Sequence, residues 1–226
     1  MITLTAFEWV PEPRQGFVKD LRVRWALEEA GLAYKEELIG LKEKLSARYR
    51  NRQPFAQVPV LETDEVKLFE SGAIVLHVAE NSEVLMPRDV YGRARTKVWM
   101  FAALNSVEPP LEYFADIEFF SSGDQWTGPQ RDAAEDAVHG KLVALEHWLG
   151  TKDYLESQFS AGDLLMTTVL RNLRTSELLS KYAAVAAYRQ RCEARPAFKK
   201  AMEDHLRPFG IARRSAAVGS GSVPNV

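Results

Sequence analysis
The chain reads as an α/β layer over residues 1–80 followed by an all-helical domain over residues 90–210, and three observations predict this. Residues 1–80 give the order strand, helix, strand, helix, strand, strand, helix, which folds with one parallel crossover and one hairpin. From Tyr91 onward apolar residues recur at helical spacing almost without exception. Between these parts lies Asn81 to Asp89, a polar connector interrupted by Pro87, as expected of a domain boundary.

Ile2 to Phe7 alternates well enough for a first strand, and Glu8 to Gly16, with two prolines and a glycine, reads as loop. Val18, Leu21, Trp25 and Ala26 then recur at helical spacing over Phe17 to Ala30, with Gly31 placed as the C-cap glycine. Tyr34 to Ile39 reads as a second strand and Lys42 to Arg50 as a short polar helix. Gln57 to Leu61 and Val66 to Phe69 make a hairpin across Thr63-Asp64-Glu65, and a helix runs from Ser71 to about Asn81. In the second part, a helix over Tyr91 to Ser106 has to bend at Pro109-Pro110 before Leu111 to Phe120 resumes. Ser121 to Asp124 reads as loop, and Pro129 suits the first position of a helix reaching Leu149. Ser160 and Asp163 fit a capping box, with Phe159 and Leu164 placed as its hydrophobic staple. Tyr182 to Ala194 and Pro196 to His205 are the last helices. Ser215 to Val226 contains Gly, Ser and Pro, so residues 211–226 are read as a flexible tail.

Composition bounds the function. A formal net charge of −2 removes the electrostatic drive for nucleic-acid binding. No apolar run has the length to span a bilayer, and Met1 to Thr5 lacks the start of a signal peptide. The sole cysteine, Cys192, excludes an intramolecular disulfide and a Cys-x-x-Cys redox pair. The expected compartment is the cytoplasm. His77, His139, His147 and His205 have no metal-ligand spacing, so no metal is expected.

The chemistry concentrates on Gln57-Val58-Pro59 and Glu70-Ser71. A proline in an apolar strand pattern removes a ladder donor, so Val58 sits where its backbone N–H and C=O face something other than a strand, and a cis Val58–Pro59 bond would turn them to a ligand. Ser71 opens a helix, whose unpaired amides and positive dipole end attract a carboxylate. Each residue also has a plain structural alternative: Ser71 as an N-cap, Glu70 as a first-turn charge, Pro59 as an edge-strand device.

With Leu21-Arg22-Val23-Arg24, Ala26-Leu27 and Gly31 in the first helix and Ser160 to Asp163 opening a later one, this ordered set resembles the glutathione transferase superfamily across nearly the whole chain. The resemblance implies a thioredoxin-like N-terminal domain and an all-α C-terminal domain, assembled as a homodimer. It also implies that glutathione is the cosubstrate: Val58 pairs with the cysteinyl backbone, Ser71 and Glu70 hold the γ-glutamyl end, Gln57 points toward the glycyl end, and Asp163 stabilises the second domain.

Catalysis in that family means stabilising the glutathione thiolate. The chain departs from the family's pattern here, because no Ser, Thr, Tyr or Cys lies between Ala6 and Arg24. Phe7 and Val18 stand about where the family's tyrosine or serine would be. Arg14, the amides around Phe17 and Val18, and the Trp9 indole are the candidates left, with the alternative that Arg14 is a solvated charge. Trp9, Val107 and Phe114, with Trp99, Ala103 and Tyr113, are the apolar candidates for the electrophile's pocket, each with core packing as its alternative. The expectation is an enzyme that conjugates small electrophiles to glutathione or reduces peroxides. A non-catalytic binding protein of the same fold is the second reading, and a thiol-disulfide oxidoreductase a distant third.

Overall fold
A computed structural model describes residues 1–119 and 128–210 in full and, at 120 and 211–219, the backbone alone. The loop expected at Ser121 to Asp124 lies outside the described residues. The chain packs as two compact units. In the first, β1 (Ile2–Phe7), β2 (Tyr34–Ile39), β3 (Val60–Glu62) and β4 (Lys67–Phe69) form a sheet in the order β2-β1-β3-β4. β1 runs parallel to β2 and antiparallel to β3, and β3 is antiparallel to β4, which is the expected crossover and hairpin.

The crossover is α1 (Asp20–Glu29), shorter at its start than the sequence pattern. Gly16 holds a left-handed φ of 83°, and Phe17 N–H turns back onto the Arg14 carbonyl, so helical geometry cannot extend upstream. Its other end is a Schellman closure: Gly31, φ 66°, donates to Glu28 O at 3.2 Å and Leu32 to Leu27 O at 2.9 Å. A one-turn α2 (Ala47–Arg50) follows, and α3 (Ser71–Ala79) leaves the hairpin.

α9 (Pro196–Gly219) completes this unit. Its Phe198 ring meets Trp25 of α1 edge-on at 4.8 Å. It also continues through residues 211–219 of the expected tail; residues 220–226 lie outside the described residues.

The second unit, Leu76–Arg195, is helical. α4 (Val90–Phe101) is capped by Asp89, whose carboxylate accepts from Gly92 N–H at 2.7 Å. It passes through a π-helical segment, Ala102–Val107, into α5 (Glu108–Phe120). Pro109 and Pro110, where the sequence predicts a bend, have no N–H to return to the preceding turn, and the π segment lies just ahead of them. α6 (Pro129–Leu149) starts on its proline; α7 (Ala161–Leu170) packs against α4, and α8 (Ala183–Glu193) against α6 and α7.

The capping box is present. Ser160 Oγ accepts from Gly162 N–H at 3.2 Å, and Asp163 Oδ2 accepts from Ser160 N–H at 2.9 Å. Asp163, fully buried, takes further bonds from Leu155 N–H and the Tyr188 hydroxyl. Burial outweighs these donors and pushes its carboxyl up to about 6. The unfolded chain releases this proton near 3.8, so the group's contribution to stability is whole below that value and is lost as the pH rises through about 6. Melting temperatures between pH 4 and 7 should therefore show a falling component that Asp163→Asn abolishes, the variant itself melting lower at every pH; an unchanged slope in the variant would place the titration elsewhere.

Candidate functional site
The hairpin register builds the site. Val60 lies opposite Phe69, so Val58, two residues before, and Ser71, two residues after, leave the ladder at the same end. The turn at the far end is held by Thr63, whose Oγ1 accepts from Glu65 and Val66 N–H at 3.2 and 3.0 Å. The Val58–Pro59 bond is cis, and Glu70 sits in the left-handed region at φ 69° with its side chain exposed. Among the described residues nothing hydrogen-bonds to the N–H or C=O of Val58, or to the N–H of Ser71, Gly72 or Ala73. The first bond of α3 is Ile74 N–H to Glu70 O at 3.0 Å. One acceptor and four donors are thus gathered at one end of the hairpin, three of the donors at a helix N-terminus.

Ser71 is oriented from behind. The buried guanidinium of Arg22 on α1 donates from Nη1 to Ser71 Oγ at 3.3 Å. With that lone pair engaged by a donor, the hydroxyl proton is left for an outside acceptor, which suits a carboxylate. Val58 is fixed through its side chain, which packs with Ile39, Tyr49 and Val60, and Phe7 and Val18 close over that cluster. The Tyr49 hydroxyl donates to Gln57 O at 2.8 Å, holding the residue that enters the bend. Burial pushes the Tyr49 phenol up to about 12, so it stays a donor across the physiological range.

The loop between β1 and α1 brings Val18 onto this cluster and does less for the other candidates. A 3-10 turn spans Glu12–Arg14, with Arg14 exposed. Phe17 N–H is spent on Arg14 O at 3.1 Å, so of the two amides expected to face a sulfur only that of Val18 has no acceptor among the described residues. Buried Gly16 donates its N–H to His205 Nε2 at 3.2 Å. Trp9 is exposed in this unit. In the helical unit Val107 ends the π segment, and Phe114, 1% exposed, is a core residue with the Arg131 guanidinium 5.8 Å from its ring centre.

Arg22, Tyr49 and His205 were not singled out from sequence as site residues. Arg22 belongs to the quoted Leu21-Arg22-Val23-Arg24 motif; for the other two the local pattern carries no signal. Cys192 is fully buried, and burial pushes its thiol up to about 12, so it is not a nucleophile. Among the described residues no group of His, Cys, Asp or Glu could hold a metal ion, and no helix is long and apolar enough to cross a membrane.

Comparison with known proteins shows the family. Residues 3–80 match the glutathione S-transferase N-terminal domain and residues 110–196 the C-terminal domain. The chain is 31% identical over 194 residues to glutathione S-transferase 4 of Zea mays, covering 79% of this chain and 85% of that protein. It is 24% identical over 196 residues to maleylacetoacetate isomerase of Rhizobium meliloti, covering 83% and 92%. A glutathione transferase from Pseudomonas putida, solved with one glutathione disulfide bound per subunit, superposes with a TM-score of 0.77 at 20% identity, over 89% of this chain and 90% of that one.

The Tyr49 bond gives a direct test of how the bend is held. Tyr49→Phe should lower stability by about 1 kcal/mol, roughly 2–4 °C of melting temperature in a chain of this size. A thermal melt within error of the parent would remove Tyr49 as a support of residues 57–58.

Proposed function
The chain belongs to the glutathione S-transferase family, and from that premise we propose that it binds glutathione along the hairpin end and transfers its thiolate to small electrophiles. The observation that carries the reading is the set of unspent backbone groups at one end of β3 and β4: the N–H and C=O of Val58 and the N–H groups of Ser71, Gly72 and Ala73. An extended peptide adds to such a segment as a strand would, through paired main-chain bonds. Val58 takes the cysteinyl amide and carbonyl, with Pro59 closing the bend. The γ-glutamyl carboxylate sits on the first turn of α3 and the Ser71 hydroxyl, its ammonium on Glu70, and Gln57 reaches toward the glycyl end.

In this pose the cysteinyl sulfur lies toward the start of α1. The Val18 N–H donates to the thiolate and Arg14 adds positive charge. Lowering a thiol from about 8.5 by about two units requires about 2.7 kcal/mol of preference for the anion. The thiol proton leaves to solvent, the sulfur lone pair forms the new S–C bond, and the electrophile's electrons move to its leaving group or acceptor atom. The protein acts in the cytoplasm as a homodimer and takes part in detoxification.

A second reading is favoured by one observation, the absence of Ser, Thr, Tyr or Cys between Ala6 and Arg24. On that reading the same cleft binds glutathione without turnover. Titration calorimetry with glutathione separates the outcomes: Ser71→Ala should raise the Kd about tenfold, about 1.4 kcal/mol. No heat at millimolar glutathione with the parent protein would overturn both readings, and binding without turnover of any electrophile or peroxide above the solution rate would select the second.

A further inference from the structure
We infer that His205, near the far end of the chain, is a positioning residue for thiol activation, setting the loop that carries Val18 through the backbone amide of Gly16. This rests on the reading of that loop as the part that faces the sulfur.

His205 is 1% exposed on α9, and its two ring nitrogens are both engaged, on opposite duties. Nε2 accepts from Gly16 N–H at 3.2 Å, and Nδ1 lies 3.0 Å from Asp20 Oδ2. An amide can only donate, so Nε2 must carry the lone pair and the ring proton must sit on Nδ1, donated to Asp20. Asp20 is kept anionic for this role. Burial pushes its carboxyl up, but His205 and Arg24 outweigh that and hold it below the usual range. Arg24 Nε reaches the same Oδ2 at 2.7 Å and its Nη1 bonds Glu36 on β2, so the carboxylate that selects the tautomer is itself immobilised from the sheet. Phe209 packs edge-on against the imidazole at 5.3 Å, fixing the ring plane.

The consequence falls on residues 14–18. Gly16 is the left-handed corner between the 3-10 turn and α1, and its conformation decides where Phe17 and Val18 go. The bond to His205 ties that corner to a helix 189 residues away in sequence. The site's one candidate amide, Val18, is held two residues beyond the anchor, packed on the Val58 cluster. Nothing in this arrangement requires His205 to touch glutathione.

Two substitutions divide the imidazole's duties. His205→Asn places an amide where Nδ1 was, keeping a donor to Asp20 and removing the acceptor for Gly16. His205→Gln places one where Nε2 was, keeping the Gly16 acceptor and removing the link to Asp20. In the glutathione complex, followed by thiolate absorbance against pH, His205→Asn should raise the bound thiol's pKa by about one unit, a tenfold fall in the thiolate-to-thiol ratio at a given pH. Its Kd for glutathione should change less than twofold, and His205→Gln should keep most of the parent's thiol pKa. In the parent protein, hydrogen exchange should show the Gly16 amide protected well beyond the amides of the exposed turn, those of Glu12, Arg14 and Gln15. The inference fails if the parent binds glutathione yet both variants leave its thiol pKa where the parent has it, or if both raise it equally. It fails also if Gly16 exchanges as fast as its neighbours, a result that needs no variant to fold. Failure of the parent to bind glutathione is a different result, and overturns the functional reading beneath.

Discussion
The register of one short hairpin governs what this chain can bind. β3 is an interior strand, paired with β1 on one side and β4 on the other, and Val60 and Leu61 are buried to within 1% exposure. Such a strand spends its backbone groups on its neighbours, so main-chain bonding to a ligand is available only where the ladder has stopped. It stops at Val60, two residues after Val58, and Phe69 opposite Val60 sends the chain into α3 at the same end. A slip of one residue would move Ser71 relative to Val58 and turn the apolar set of β3 outward, so burial of Val60 and Leu61 secures the site as well as the sheet.

A second constraint is electrostatic. Asp20 and Arg24 on α1, Glu36 on β2, and Asp204, His205 and Arg207 on α9 form one network, most of it out of solvent. Burying this many charges costs free energy that pairing only partly recovers, so the network is weak evidence for stability and stronger evidence for geometry. Asp20 Oδ2 accepts from Arg24 on its own helix and lies 3.0 Å from His205 Nδ1 on α9, and the second of these contacts ties the rotation of α1 to α9. The same rotation points Arg22 at Ser71, two residues along from Asp20. The anion end of the site and the loop that leads into α1 are thereby aligned by the first turn of one helix.

Legibility in the sequence follows the range of the interactions. β1, β2, the Gly31 stop and the Ser160–Asp163 box are local patterns, and the structure has them where the residues put them, whereas the hairpin's first strand begins at Val60 and not at Gln57. α1 starts later than its apolar periodicity, which continues to Val18, because the left-handed Gly16 and the Phe17 to Arg14 turn decide the backbone there. Two prolines predict a bend at 109–110, and the structure adds what a proline pair does not state, a π segment just ahead of them. α9 has an ordinary amphipathic pattern that gives no hint of which unit it joins; Phe198 against Trp25 and His205 against Asp20 are long-range facts. Arg22 and Tyr49 escaped notice for the same reason, since each acts on a residue that the fold, and not the spacing, brings near.

Magnitudes decide how a cleft without a hydroxyl or thiol would hold a thiolate on the proposed reading. A neutral donor, amide or hydroxyl alike, is worth about 0.5–1.5 kcal/mol net, and about 1.5–3 when its partner is charged. One amide aimed at a sulfur anion therefore covers a shift of about one to two pKa units by itself. An exposed guanidinium adds about 0–1 kcal/mol, because water screens it and ordering a long side chain opposes the gain. Val18 therefore ranks ahead of Arg14, although the arginine carries the charge. An amide differs from a side-chain hydroxyl in having no rotamer of its own, so its aim is set entirely by the backbone that carries it. The usual route to activation, a well-placed side chain, is replaced by a well-placed corner of main chain, and what anchors that corner matters as much as the donor.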